Sequence, residues 1–130
     1  MNNKALSIQE PYASLILTGK KLIETRGWKT NYRGELYIHA CAKPFCGWSR
    51  NSALKEIVGD LPLSCGEIIC KCKLVDCVLM TEEFIKNLKE RNPLEYACGF
   101  YEIGRYAWIL TDVTPVAKIK IKGQLGIWNF

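Results

Sequence analysis

Apolar and polar residues alternate through most of this chain, and the alternation predicts strands. ELYIHAC, residues 35–41, puts Leu36, Ile38 and Ala40 on one face and Glu35, Tyr37, His39 and Cys41 on the other. EIICKCKLVDCVLM, residues 67–80, is the longest such run, long enough to bend and be shared around a barrel. RYAWIL (105–110) and PVAKIKIK (115–122) read as two further strands, ALSI (5–8) as a short first one, and the chain closes in a short tail. KLIETRGW (21–28) reads as a strand or extended turn. Period two then sends Lys21, Ile23 and Thr25 one way and Leu22, Glu24, Arg26 and Trp28 the other, with Gly27 a natural place for a bulge.

Helical spacing replaces alternation in three places. PYASLILTG opens on Pro11, whose missing N–H costs nothing in a first helical turn, and closes on Gly19 as a C-terminal cap. Lys20 and Lys21 follow at the negative end of that helix. Ser49 is placed to cap a helix over 50–58 with Ala53, Leu54, Ile57 and Val58 as its apolar stripe. Thr81 caps EEFIKNLKER, acids in the first turn and bases in the last, and NPLEYACGFYEIG (92–104) reads as irregular. Five or more strands with few helices predict an α+β fold, a small antiparallel or mixed β-barrel flanked by short helices, and 130 residues predict one domain over 1–130.

Composition narrows the classes. Apolar residues make up 48%, enough for a sizeable core, yet no apolar run reaches the ~18 residues of a membrane span. The opening MNNKALSIQEPYASLILTG is interrupted at Gln9, Glu10 and Pro11 and lacks a small-residue cleavage site, so a cytoplasmic chain without a membrane partner is expected. Seven cysteines, an odd count spread through apolar runs, fit reduced thiols acting as small core residues. No C-x-x-C pair exists and His39 is the lone histidine, so neither a metal nor another cofactor is expected. Cys41 shares a strand face with His39, a spacing too long for a thiolate and its base.

The net charge of +5 is unevenly spread. Residues 1–50 and the last fourteen are basic, and the middle is acidic. If the two ends pack together, the molecule gains a positive face that concentrates nucleic acid or another polyanion. GKKLIETRGW, residues 19–28, is the densest candidate: Arg26 offers a planar fork to a phosphate or base edge, Trp28 a stacking surface, and Lys20 and Lys21 point charges. Glu24 suits pairing with Arg26, accepting from a base amine, or proton transfer. Tyr12 opens the first helix as a further contact, Gln9 is placed to read a polar edge, and Arg33, His39 and Lys43 form a second basic group around the 35–41 strand. For His39, packing between strands is an equal alternative. Lys118, Lys120 and Lys122 alternate and share a strand face, for backbone contact or solvation.

LSIQEPYASLILTGKKLIETRGW resembles the opening of the ASCH domain, named for activating signal cointegrator-1 homology: a proline-led helix, then Gly19, Lys21, Glu24 and Arg26 in the family's spacing. The resemblance runs on through YRGELYIHACAK, GEIICKCKLVDC and IKIKGQLGIWNF. It implies a PUA-like barrel with a cleft between the first helix and the barrel, and a partner that is RNA or DNA, single-stranded or terminal. One bacterial branch of the family hydrolyses N4-acetylcytidine with a lysine, a threonine and a later-helix glutamate, and other members are ribonucleases. Those roles carried over fall on Lys21 and, in place of the threonine, Glu24; Glu82 and Glu83 are candidates for the later carboxylate. Binding without covalent chemistry is thus the first expectation and hydrolysis the second. A protein-interaction module, with an apolar patch outside the cleft, is the third.

Overall fold

The computed structural model describes residues 3–130 of the chain. Its strands are β1 (Lys4–Ile8), β2 (Ile23–Arg26), β3 (Gly34–Ala40), β4 (Glu67–Leu79), β5 (Tyr106–Lys120) and β6 (Ile127–Asn129). Its α-helices are α1 (Tyr12–Leu17), α2 (Ser52–Val58), α3 (Glu82–Arg91) and α4 (Pro93–Ala97). The strands form one sheet in the order β2-β5-β4-β3-β1-β6. It is mixed: β1 runs parallel to β3, and the other neighbours are antiparallel. The sheet curls into a half-barrel whose two edge strands are β2 and β6.

Bulges produce the curl. The β4–β5 pairing shifts register at three places, and each extra residue bends its strand and sharpens the twist. Asp112 takes up one shift with φ of +54°, a conformation that aspartate tolerates better than most residues. These bulges carry β5 through Thr111–Thr114, so RYAWIL and PVAKIKIK are one 15-residue strand rather than two.

Alternation decides what lies inside the curl. Leu36 and Ile38 of β3, Cys70, Cys72 and Leu74 of β4, and Trp108 and Leu110 of β5 meet Leu6 and Ile8 of β1 there. Each fully buried aliphatic side chain of this kind contributes about 1.5–3 kcal/mol. Helix α1, at six residues, is too short to persist alone, and it is held by burying Ala13 and Ile16 in this core and Leu15 in a second cluster with Leu54, Val58 and Cys98.

Four local expectations are corrected. Asn51, not Ser49, caps α2, its side chain accepting from the Leu54 amide at 3.0 Å, because Trp48–Arg50 is already wound as a 3-10 turn. The stretch read as irregular contains α4, with Asn92 accepting from the Glu95 amide and Pro93 in the first turn. The tail is strand β6, paired with β1. Lys21 precedes β2, so the alternation within β2 does not reach it.

Candidate nucleic-acid interface

Because the half-barrel does not close, its open side is a cleft between the β2 edge and the β1–β6 edge, roofed by the start of α1 and the Gly99–Phe100 turn. Its volume is about 930 Å³. Four cationic side chains line it, Lys21, Arg26, Arg105 and Lys122, against one carboxylate, Glu24, among the described residues.

Both arginines are pinned. Arg26 donates from Nε to Glu24 Oε2 at 3.0 Å and from Nη2 to the Ser7 carbonyl at 2.9 Å, and Nη2 stands 2.9 Å from the same Glu24 oxygen as an ion pair. Arg105 donates to the Phe100 and Thr25 carbonyls at 3.3 and 3.2 Å, with its guanidinium 4.6 Å from the Phe100 ring centre. Neither Nη1 has a hydrogen-bond partner among the described residues, so each fork keeps one edge for a ligand while its orientation is already fixed.

Lys21 is 1% exposed. Its ammonium donates to the Ile23 carbonyl at 2.5 Å and sits 5.6 Å from the centre of the Tyr12 ring. An ammonium has three donors, and a single carbonyl satisfies only one. A β-carbon on Gly99 would stand 3.3 Å from Nζ and 2.7 Å from the Tyr101 ring, so only glycine leaves this approach open. Behind Lys21 lies Glu95 of α4, 3% exposed, whose Oε1 accepts from the Leu22 amide at 2.6 Å. Its Oε2 and the hydroxyl of Tyr101 are buried without partners. Burial raises the Glu95 carboxyl above the usual glutamate range, against the opposing pull of the Leu22 amide and Lys21. Burial likewise raises the phenols of Tyr12 and Tyr101.

His39 is a wall of the cleft rather than a free ligand group. Its Nε2 lies 2.7 Å from the Ile121 carbonyl, which can only accept, so Nε2 carries the proton. Its Nδ1 then accepts from Ser7 Oγ at 3.0 Å, and Ser7 Oγ in turn accepts from Trp128 Nε1 at 3.1 Å.

Of the residues expected from sequence, Gln9, Tyr12, Lys21, Glu24, Arg26, Trp28 and His39 line the cleft. Lys21 and Glu24 share it despite their assignment to opposite faces. Lys20, Arg33 and Lys43 do not line it: Lys20 donates to the Ile57 carbonyl, Arg33 to the Thr30 and Tyr32 carbonyls, and Lys43 is exposed. The basic group of Arg33, His39 and Lys43 is therefore not assembled. The three C-terminal lysines also separate. Lys118 donates to Ser64 Oγ, Lys120 pairs across from Glu67, and Lys122 reaches the cleft. Glu82 and Glu83 are exposed on α3, away from the cleft, and the later-helix carboxylate near Lys21 is Glu95. Arg105, Phe100, Phe45 and Glu95 were not singled out from sequence. They sit in loops and a short helix where no periodicity marks a side chain.

A curled mixed half-barrel flanked by short helices, with a cleft at its open side, defines a small α+β domain of the barrel type. The ASCH domain family profile matches residues 6–120, and the chain belongs to the ASCH domain family. It is 50% identical over 137 aligned positions to human activating signal cointegrator 1, covering 95% of this chain but only 22% of that protein's length. Among solved structures, the ASCH protein of Zymomonas mobilis aligns at a TM-score of 0.61 and 16% identity, covering 99% of this chain and 87% of that one. A tyrosine-to-phenylalanine mutant of the same bacterial protein aligns at 0.55 and 17%, covering 92% and 76%. At such identities these two establish the fold alone.

Proposed function

We propose that this chain is a nucleic-acid-binding module, with RNA as the expected ligand, which takes an unpaired strand or a strand end in its cleft and does no covalent chemistry on it. The carrying observation is the combination of charge and apolar surface in one cleft. Four of the exposed large apolar side chains, Trp28, Phe45, Phe100 and Leu125, lie on the same lining as the four cations. A duplex turns phosphates outward and hides its bases, so an apolar rim gains nothing from it. An unpaired strand offers both phosphates and base faces, and stacking on an aromatic such as Trp28 adds about 1–3 kcal/mol per base. Glu24, paired with Arg26, keeps Oε1 free to accept from a base amine. No helix among the described residues is long and apolar enough to cross a membrane. Residues 1–130 act as one module in a reducing compartment such as the cytoplasm, which suits seven free thiols.

The test is a fluorescence-anisotropy titration with a short single-stranded RNA from low to moderate salt. Micromolar or looser binding is expected, with log K falling by about 0.7 per phosphate contact for each decade of salt. Flat affinity across that range, or no binding at low salt, overturns the reading.

One observation favours a second reading, hydrolysis of an N4-acetylcytidine-like nucleoside or of RNA. A buried lysine on the cleft lining, Lys21, has a buried later-helix glutamate, Glu95, behind it, the residue types that amide hydrolysis by the resembled branch uses. Glu24 still stands where that branch has a threonine hydroxyl, which leaves the nucleophile unaccounted for. Chromatography after incubation with N4-acetylcytidine and with short RNA decides: turnover lost in both Lys21→Met and Glu95→Gln establishes the second reading and displaces the first.

A further inference from the structure

Leu125 is 98% exposed, more than any other large apolar side chain of the described chain, yet it lines the cleft. It stands just before edge strand β6, and Trp28, 40% exposed, stands just after edge strand β2, so the two flank the cleft from opposite edges of the sheet.

The segment carrying Leu125 is held at both ends. Ile121 accepts from His39 Nε2 through its carbonyl and donates through its amide to the Gly66 carbonyl at 3.2 Å. Gly123 lies so close to the Ser7–His39 pair that a β-carbon there would stand 2.6 Å from Ser7 Oγ and 2.8 Å from the imidazole. Gly126 turns the chain into β6 with φ of +66°, a region that only glycine enters without cost. A leucine that folding leaves entirely in water gains nothing from the core, and here the backbone around it is fixed by specific contacts.

We infer that Leu125 is a wedge: it inserts against the base at the cleft mouth and separates that base from its stacked neighbour. The inference rests on the nucleic-acid reading of the cleft. Apolar side chains such as leucine, inserted between base steps, partially unstack them. Trp28 offers a face to the displaced base, and Lys122, three residues from Leu125 on the same lining, offers a charge to its phosphate. The preferred ligand is accordingly a strand end or single strand that can surrender one stacking contact. A protein partner seated on Leu125 is the competing occupant. The cationic lining favours the nucleic acid.

The experiment uses the full chain and single-stranded RNA carrying 2-aminopurine at successive positions, with binding followed by anisotropy and unstacking by 2-aminopurine fluorescence at saturating protein. Wild type is expected to raise the fluorescence at one position by about twofold or more, as wedge insertion requires. Leu125→Ala is expected to lose most of that rise, read at saturating protein so that any weakening of binding does not enter the comparison. Leu125→Met, still long and apolar, is expected to keep it. An unchanged rise in Leu125→Ala overturns the wedge, and is the result expected if the side chain instead serves a protein partner. Binding by wild type with no fluorescence rise at any position also overturns it while leaving the nucleic-acid reading intact. Absence of salt-dependent binding by wild type overturns that reading, and the wedge with it. A side chain so exposed carries no packing, so a folding defect does not obscure these outcomes.

Discussion

The guanidinium of Arg26 reaches 2.9 Å from its Nη2 to the Ser7 carbonyl, so a side chain of β2 bonds the backbone of β1 across the open side of the sheet. Strands β2 and β1 lie four places apart in the sheet order and touch here only because the sheet curls. The same Nη2 meets Glu24, which is 7% exposed. The pair thus braces the cleft as well as lining it.

Arg26→Ala should destabilise the fold by about 2–4 kcal/mol, because it strands a buried carboxylate as well as losing the Ser7 bond. Adding Glu24→Gln should recover part of that loss, with a coupling of about 0.5–3 kcal/mol. Urea unfolding of the two single variants and the double variant measures it. Strict additivity would mean that the two side chains do not depend on one another. Alone, Glu24→Gln should shift base preference more than overall affinity, since the amide keeps an acceptor and adds a donor.

Lys21→Met keeps an unbranched apolar side chain in the buried position and removes the charge. It should weaken RNA binding by about 1.5–3 kcal/mol across sequences if the ligand supplies the missing acceptor for the ammonium. The loss should appear in anisotropy at constant salt, with melting temperature recorded alongside. Full affinity in a folded Lys21→Met would show that the ammonium serves the protein alone.

What the sequence could announce follows from where periodicity operates. The alternation in ELYIHAC places Leu36 and Ile38 in the core as expected, and the family motif brings Lys21, Glu24 and Arg26 to one cleft. Strand alternation failed at Lys21 because the strand starts two residues later. Arg105 and Phe100 were illegible because their meeting with Thr25 joins positions 75 and 80 residues apart, a product of the β2–β5 pairing that no local pattern encodes. Glu95 looked like one acid among several in the middle of the chain. Only the docking of α4 behind Leu22 buries it. His39 was ambiguous for a similar reason: its two partners, Ser7 and Ile121, come from opposite ends of the chain.

The thiols should divide by burial. Cys70 and Cys72 are buried, and loss of solvation pushes both up to about 12, so neither offers thiolate near neutrality. Cys98 is buried and raised for the same first reason. Cys46 is exposed. In the native protein at neutral pH, a thiol reagent should modify Cys46 quickly and leave Cys70, Cys72 and Cys98 untouched until denaturant is added. Peptide mapping by mass spectrometry checks this, and native modification of Cys70 or Cys72 would contradict the packing of β4.

Glu95 supplies a pH dependence whose sign is fixed. Burial raises its carboxyl in the folded protein above the unfolded value, so between those two values the folded chain holds a proton that the unfolded chain has released. Its stabilising contribution is complete below the unfolded value of about 4.3 and is lost as pH rises through the folded one. Glu95→Gln retains an oxygen to accept from the Leu22 amide and has no proton to lose. The stability of Glu95→Gln relative to wild type should therefore climb as pH rises from about 4 and level off once wild-type Glu95 is ionised. Paired urea unfolding curves at several pH values from about 4 to neutrality give the difference directly. A difference that stays flat, or that falls as pH rises, would mean that Lys21 and the Leu22 amide outweigh burial and that Glu95 is held as a carboxylate in the folded chain.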